Sequence, residues 1–144
     1  MGKVSIVYWS GTGNTEAMAA AMAEGAKDAG AEVELMTVDK ADAAALSEAK
    51  AFALGCPAMG AEVLEEGEME PFMAELDSQI AGKTIALFGS YGWGGGEWMR
   101  DWESRVVSDG AAVLSGEGII ADNAPDDDVL AECRAAGAKL AALV

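Results

Sequence analysis

Short apolar runs rich in valine and isoleucine recur along the chain at regular intervals. Five of these runs are predicted to be β-strands: VSIVYW (4–9), VELMTV (33–38), AFALG (51–55), TIALFGS (84–90) and AAVLSGEGII (111–120). Stretches of helical character lie between and after them, at residues 16–29, 71–80, 97–107 and 126–143, with one short helix predicted within residues 39–50. The pattern is one of strands alternating with helices.

This alternation predicts parallel strands joined by right-handed crossovers, with helices covering both faces of the sheet. Five strands form a doubly wound α/β fold, and a chain of 144 residues suits one domain spanning residues 1–144. Ligands of such open sheets bind at the carboxyl ends of the strands, where the winding direction reverses. The loops that follow the strands are therefore the candidate site.

The charge of the chain is strongly negative. Nine lysines and arginines against 25 aspartates and glutamates give a net charge of −16. Such a protein is repelled by nucleic acid and attracted to basic patches on larger proteins. Charge of one sign also favours a monomer, and the simpler alternative is that it only keeps the protein in solution.

The residue inventory argues against a metal centre and a membrane protein. The chain has two cysteines, Cys56 and Cys133, no CxxC pair and no histidine, so we expect no protein-ligated metal. The N-terminus passes directly into the first apolar run without a signal segment, and no apolar stretch is long enough to span a bilayer. We therefore expect a cytoplasmic protein.

The loop after the first strand, SGTGNT at residues 10–15, is rich in hydrogen-bond donors and opens the first helix. Backbone N–H groups and the helix dipole make such a position an anion site, here with no lysine or arginine in the loop. Asn14 follows Gly13 where a Walker loop has lysine, and Glu16 stands where a dinucleotide loop has its last glycine. The alternative is that the loop only makes a tight turn and caps a helix.

The loops after the third and fourth strands each place a large, polarisable side chain among small residues. These side chains are Met59, in CPAMGAE, and Trp93, in SYGWGGG. Tryptophan stacks on flat rings and methionine makes sulfur–aromatic contacts, so together they indicate a sandwich around a flat ligand. Each residue taken alone is also compatible with ordinary packing.

With these three loops in place, the chain resembles the flavodoxin family, specifically the short-chain flavodoxins of anaerobic bacteria, the clostridial and Megasphaera type. Four motifs carry the resemblance over essentially the whole chain: YWSGTGNTEAM (8–18), GCPAMG (55–60), EPF (70–72) and ALFGSYGWGGGEWMRDW (86–102). The resemblance implies strand order 2-1-3-4-5 and FMN bound at the switch between the first and third strands. Residues 111–120 leave no room for the segment inserted in long-chain members.

The resemblance also implies which residues hold FMN. The expected phosphate ligands are Ser10, Gly11, Thr12, Gly13, Asn14 and Thr15. The expected residues around the ring and the ribityl chain are Pro57, Ala58, Met59, Gly60, Glu62, Ser90, Tyr91, Gly92, Trp93 and Gly94. Met59 and Trp93 would cover the two ring faces, and Glu62 would accept the imide N–H. Pro57 stands where relatives carry a hydroxyl, which predicts the loss of one phosphate contact.

The positions of three other residues near these loops can also be predicted. Trp9 is expected near the site, Trp98 in the core, and Cys56 as a buried strand-end residue.

In the family, the turn from Met59 to Glu62 flips to stabilise the neutral semiquinone. Because a left-handed conformation costs alanine about 1 kcal/mol, Ala61 is expected to bias this turn toward its semiquinone geometry.

The function implied by the resemblance is that of a low-potential one-electron carrier. The FMN would cycle between semiquinone and hydroquinone, and nearby carboxylates would oppose the second electron. Its partners would be larger redox proteins with basic docking surfaces, and the protein itself would not be an enzyme. Two alternatives stay open: an NAD(P)H-dependent quinone reductase of the same fold, and a response-regulator type of domain, which would need an acidic cluster after the first strand that this chain lacks.

Overall fold

The computed structural model describes residues 2–11, 13–59 and 63–144. The strands are β1 (Lys3–Tyr8), β2 (Glu32–Thr37), β3 (Ala51–Gly55), β4 (Thr84–Tyr91), β5 (Ala112–Val113) and β6 (Ile119–Asp122). The helices are α1 (Asn14–Asp28), α2 (Ala43–Leu46), α3 (Met69–Leu76), α4 (Glu97–Ser108) and α5 (Asp127–Leu143). Two short 3₁₀ turns cover Val38–Lys40 and Leu114–Gly116.

All strand pairs of the main sheet are parallel. The order is β2-β1-β3-β4-β5, and β6 also pairs with β4. Ile6 lies opposite Ala53 in the register of β1 with β3, and Ala53 lies opposite Ala86 in that of β3 with β4. The predicted strand order and the doubly wound α/β class are confirmed.

The predicted fifth strand is wrong as one continuous element. Ala112 and Val113 pair with the start of β4, the chain then leaves the sheet edge, and β6 returns beside the end of β4. Residues of the SGEG sequence favour turns, and Ser115 takes a left-handed conformation with φ of 64°. The Gly118 N–H donates to Oε2 of Glu103 at 2.6 Å, which holds the detour against α4.

The short helix predicted within residues 39–50 is also only partly correct. A 3₁₀ turn ends at Lys40, and the α-helical part is the single turn α2. Asp42 lies between them with extended backbone, and its side chain accepts the N–H of Ala44 at 3.0 Å. An N-cap preference therefore breaks the segment in two.

Side chains on the two faces of the sheet form two separate cores, as the alternation of residues along a strand requires. On one face Phe52 and Leu54 of β3 pack with Met73 of α3 and with Trp98 and Trp102 of α4. The other face is covered by α1 and α5, with a separate set of buried side chains. Helices thus cover both faces, as the sequence predicts.

The layer formed by α1 and α5 depends on glycine. A Cβ at Gly137 would overlap the Met22 carbonyl oxygen of α1, and a Cβ at Gly25 would overlap the Arg134 carbonyl oxygen of α5. Each glycine therefore lets one helix backbone rest directly on the other. None of the helices in the described parts of the chain is long and apolar enough to cross a bilayer.

Candidate functional site

The carboxyl ends of β1, β3, β4 and β6 meet at one edge of the sheet and surround a cleft of about 310 Å³. The cleft is lined by Trp9, Gly11, Asn14, Pro57, Ala58, Met59, Ser90, Tyr91, Gly92, Trp93 and Asn123. A larger depression of about 460 Å³ lies beside β1 and β2. Its lining has no aromatic side chain and mixes Lys3, Glu34 and Asp42, so it lacks the walls that a flat ligand needs.

The first loop is held by the Ser10 hydroxyl, which accepts the N–H of Gly13 at 3.1 Å and that of Glu16 at 3.4 Å. Gly13 precedes α1 with φ of 92°, a conformation that favours glycine, and it supplies no side-chain cap. Gly11 lies under the Trp9 ring, since a Cβ there would come 3.2 Å from the indole. The start of α1 thus lies at the cleft with the Ser10 hydroxyl folded against it, and the backbone N–H groups and dipole of a helix N-terminus suit an anion.

Two buried hydroxyls join the first loop to the end of β4. The Oγ1 of Thr15 and the Oγ of Ser90 are 3.4 Å apart, and the Ser90 N–H donates to the same Thr15 oxygen at 3.4 Å. Both residues are nearly inaccessible to solvent. This contact fixes the start of α1 relative to the third loop.

The second loop begins after Cys56 and is tied to β4 by the Ala58 N–H, which donates to the Ser90 carbonyl at 3.0 Å. Met59 and Val63 form an antiparallel bridge with two backbone hydrogen bonds, at 2.9 and 3.0 Å. Met59 is half-buried at the cleft wall. The bridge fixes the Met59 backbone at the cleft wall.

Glu65 ends this loop, and α3 begins four residues later at Met69. Its carboxylate accepts the N–H groups of Gly67, Glu68 and Met69 at 2.7, 2.7 and 3.0 Å. Partial burial by itself raises the pKa of Glu65, but these three donors outweigh it and hold that pKa below its usual range. The carboxylate is therefore a structural anion as well as a charge near the cleft.

Trp9, directly before the first loop, contacts the N-cap residue of α3. Its indole N–H donates to Oε1 of Glu68 at 3.1 Å, and its ring lines the cleft. Trp9 therefore lies at the cleft, as expected.

The third loop separates the two tryptophans of the GWGGGEW sequence. Trp93 is 52% exposed at the cleft, whereas Trp98 is buried and donates its indole N–H to the Cys56 carbonyl at 3.0 Å. Gly94 and Gly96 have φ of 76° and 87°, so the loop needs glycine at these two positions. Trp98 is a core residue, as predicted, and Trp93 is free to cover a ligand.

Sequence reasoning missed Asn123, which lies beside Gly92 at the cleft. Its N–H donates to the Tyr91 carbonyl at 2.7 Å, and its amide donates to Oδ1 of Asp122 at 2.9 Å. A Cβ at Gly92 would come 3.2 Å from the Asn123 side-chain oxygen. The prediction of a continuous fifth strand ending at residue 120 hid the signal, which is an asparagine directly after a strand.

The structure brings most of the expected residues together. Gly11, Asn14, Pro57, Ala58, Met59, Ser90, Tyr91, Gly92 and Trp93 line the cleft. Ser10, Gly13 and Thr15 lie in the same first loop, and Gly94 lies in the third loop outside the cleft lining. Four residues with expected roles, Thr12, Gly60, Ala61 and Glu62, lie outside the described residues.

Carboxylates are frequent around the cleft. Glu65, Glu66, Glu68 and Asp122 lie at or beyond the carboxyl ends of strands, around the cleft. Lys3, Lys50 and Lys83 lie at the amino ends of β1, β3 and β4. None of the described residues that line the cleft is a lysine or arginine. The surroundings of the cleft are therefore negatively charged.

The two cysteines are inert in this structure. Burial raises the pKa of Cys56 and that of Cys133 to about 12 in each case, so both thiols stay protonated. Within residues 2–11, 13–59 and 63–144, no group of histidine, cysteine, aspartate and glutamate could hold a metal ion.

Comparison with known proteins gives one consistent family. A family model described as Flavodoxin matches residues 6–137. A flavodoxin of Clostridium beijerinckii is 48% identical over 86% of this chain and 89% of its own, and one of Megasphaera elsdenii is 47% identical over 92% and 98%. The solution structure of the two-electron reduced Megasphaera elsdenii flavodoxin matches with a TM-score of 0.86 and 45% identity, over 94% of this chain and 98% of that one.

Proposed function

We propose a low-potential, one-electron carrier function for this chain, which belongs to the flavodoxin family. Its cofactor is FMN, and it is an electron-transfer protein rather than an enzyme. When bound, FMN supplies the redox chemistry, and in this carrier it would alternate between semiquinone and hydroquinone, one electron at a time. Residues 1–144 would form one FMN-binding domain.

The observation that carries this proposal is the convergence of three features on one cleft. They are the N-terminus of α1 at the cleft, the half-buried Met59, and Trp93 with half of its surface exposed. A phosphate needs the first feature, and a flat ring needs the other two. The described residues therefore fit FMN by the chemistry of their donors and walls.

Each loop has a separate task in this proposal. Ser10, Gly11, Gly13, Asn14 and Thr15 would hold the phosphate with neutral donors, so that its negative charge is retained. Residues of the second and third loops, with Asn123, would surround the ring and the ribityl chain. They are Pro57, Ala58, Met59, Ser90, Tyr91, Gly92, Trp93 and Gly94. Thr12, Gly60 and Glu62 keep their expected roles as proposals.

Negative charge around the cleft would make the second electron hard to add. A unit charge about 10 Å away contributes roughly 1.7 kcal/mol at an effective dielectric of 20, before salt screening reduces it. Glu65 is held in place by its three N–H donors, so its charge stays near the second loop. Several such carboxylates would together give a low potential.

The same charge arrangement supports docking through the cleft end. Carboxylates surround the cleft, and no lysine or arginine is among the described residues that line it. The molecule would therefore orient its cleft toward a basic surface before contact. We propose larger redox proteins with basic docking surfaces as donors and acceptors, and a monomeric carrier in the cytoplasm.

Titration of the apoprotein with FMN tests this function, with FMN fluorescence as the signal and NADH oxidation as a second assay. We expect one FMN to bind per chain with strong quenching, because Met59 and Trp93 would hold its ring. The loaded protein should not oxidise NADH steadily. Failure to bind FMN, or continuous NADH oxidation by the protein alone, would contradict the proposed function.

A further inference from the structure

We infer that Cys56 is a positioning residue, whose thiol ties together the two ends of the loop that carries Met59 into the cleft. The thiol would thereby set the affinity and the redox potential of bound FMN. This inference rests on the proposed function, because the loop matters only if FMN is its ligand.

The N–H, the carbonyl and the thiol of Cys56 all form hydrogen bonds. Its N–H donates to the Phe88 carbonyl at 3.0 Å, and its own carbonyl accepts the Trp98 indole N–H at 3.0 Å. Its sulfur accepts the backbone N–H of Glu65 at 3.4 Å, while the S–H donates to the Pro57 carbonyl at 3.4 Å. The residue is fully buried. The backbone bonds fix Cys56 to the core, and the sulfur extends that fixation to Glu65.

Glu65 is the second fixed point of the loop. Its carbonyl accepts the Glu70 N–H at 2.9 Å, and its carboxylate holds the three N–H groups that start α3. The loop from residue 57 to residue 64 therefore runs between two anchored residues joined by one N–H···S hydrogen bond. This bond is the direct link between the residue after β3 and the residue that holds the turn before α3.

The anchor lies directly outside the bridge that fixes Met59. Met59 and Val63 exchange two backbone hydrogen bonds, and only three residues connect them. A shift of Glu65 is passed to Val63 through Leu64, which is itself buried. Movement at the anchor therefore reaches the backbone of Met59 at the cleft wall.

The sulfur fits this role because it acts as donor and acceptor at once. Burial holds the thiol in its protonated form, so the S–H stays available for the Pro57 carbonyl. Alanine would fill part of the space but would leave the Glu65 N–H without its acceptor. Serine would restore an acceptor with a shorter reach, since a C–O bond is shorter than a C–S bond.

The test compares Cys56→Ala, Cys56→Ser and Cys133→Ala with the parent protein. Cys133 is the matched control, because it is equally buried but lies in α5, in the core on the other face of the sheet. Each protein is measured for FMN dissociation constant, both one-electron midpoint potentials, and hydrogen exchange of the Glu65 amide in the apoprotein.

We expect Cys56→Ala to raise the FMN dissociation constant about tenfold and Cys56→Ser to return it to within about threefold of the parent. At least one midpoint potential should shift in Cys56→Ala, and protection of the Glu65 amide should be lost. Cys133→Ala should lower the melting temperature of the apoprotein without changing the FMN affinity or either potential.

Equal FMN affinities and potentials in Cys56→Ala and Cys133→Ala would overturn the inference, and so would a serine variant as weak as the alanine variant. If Cys56→Ala does not fold, the comparison of Cys56→Ser with the parent decides, because a role in packing alone predicts no change in potential. Failure of the parent itself to bind FMN would instead refute the proposed function.

Discussion

Removal of the Glu65 carboxylate should destabilise the protein far more than removal of the Glu66 carboxylate next to it. Both changes remove one negative charge from the same turn. Glu65 accepts three backbone N–H groups at the start of α3, whereas Glu66 is exposed and makes no hydrogen bond with the described residues. A comparison of the Glu65 and Glu66 variants therefore separates the effect of the hydrogen bonds from the effect of the lost charge.

The size of the effect follows from the number of donors. A side chain that accepts N–H groups at a helix start contributes about 0.5–2 kcal/mol, and Glu65 belongs at the upper end because it accepts the first N–H of α3 and two in the turn before it. A loss of about 2 kcal/mol lowers the melting temperature of a chain of this size by roughly 4–8 °C. For Glu65→Gln we expect a smaller loss, since Oε1 alone accepts two of the three N–H groups.

Urea and thermal unfolding of the apoproteins measure this difference without interference from FMN. The variants are Glu65→Ala, Glu65→Gln and, as the control, Glu66→Ala. Glu66→Ala should stay within about 0.5 kcal/mol of the parent, as is usual for exposed positions. Equal destabilisation by Glu65→Ala and Glu66→Ala would refute the capping role.

The pH dependence gives a second check on Glu65. Its native pKa is lowered, so its contribution to the free energy of unfolding is present above the unfolded pKa of about 4.3 and is lost as the pH falls through the native pKa. The difference between the parent and Glu65→Gln should therefore shrink in acid. A difference that stays constant down to the acid transition would contradict the hydrogen-bond explanation.

Three further changes give expected outcomes. Asp109→Asn should raise the free energy of unfolding at pH 8 by about 1 kcal/mol, since burial and the Asp77 carboxylate raise the native pKa of Asp109 to about 6. Measured by urea unfolding, this gain in the free energy of unfolding should fade as the pH drops below about 6, where the Asp109 carboxyl of the parent binds a proton in the folded state. The absence of any gain at pH 8 would refute the prediction. Gly137→Ala should lower the free energy of unfolding by about 1–3 kcal/mol in thermal unfolding, because the backbone of α1 leaves no space for the added methyl group. Gly95→Ala, where a Cβ would meet open space, is the control and should be nearly neutral. Equal melting temperatures of the two variants would contradict this. Trp93→Ala should weaken FMN binding about tenfold, measured by FMN fluorescence, with an unchanged melting temperature of the apoprotein, because the indole is 52% exposed. A destabilised apoprotein would show that Trp93 packs instead.

The fold could be predicted from sequence wherever local pattern and tertiary structure agree. β3 is a continuous apolar run bounded by turn residues, and its predicted bounds are those of the structure. The fifth strand failed because its apolar residues continue across SGEG, a sequence that prefers turns, and strand pairing with β4 resumes only at Ile119. The segment at residues 39–50 failed because the Asp42 cap interrupts it.

The lining of the cleft could be predicted where a large side chain stands among small residues, as Met59 and Trp93 do. The supports of the site were not predictable, because they join distant parts of the chain. Thr15 contacts Ser90 across 75 positions, and Trp9 contacts Glu68 across 59. A local pattern contains no signal for such pairs, and the N–H···S bond of Cys56 belongs to the same class.

Stepwise anaerobic reduction of the FMN-loaded protein tests the one-electron function most directly. The spectrum is followed at long visible wavelengths while reductant is added in small portions. A one-electron carrier predicts that absorbance of the half-reduced flavin rises and then falls as the second electron enters at a much lower potential. Direct passage from oxidised to fully reduced FMN, with no such absorbance at any step, would contradict one-electron carriage by this protein.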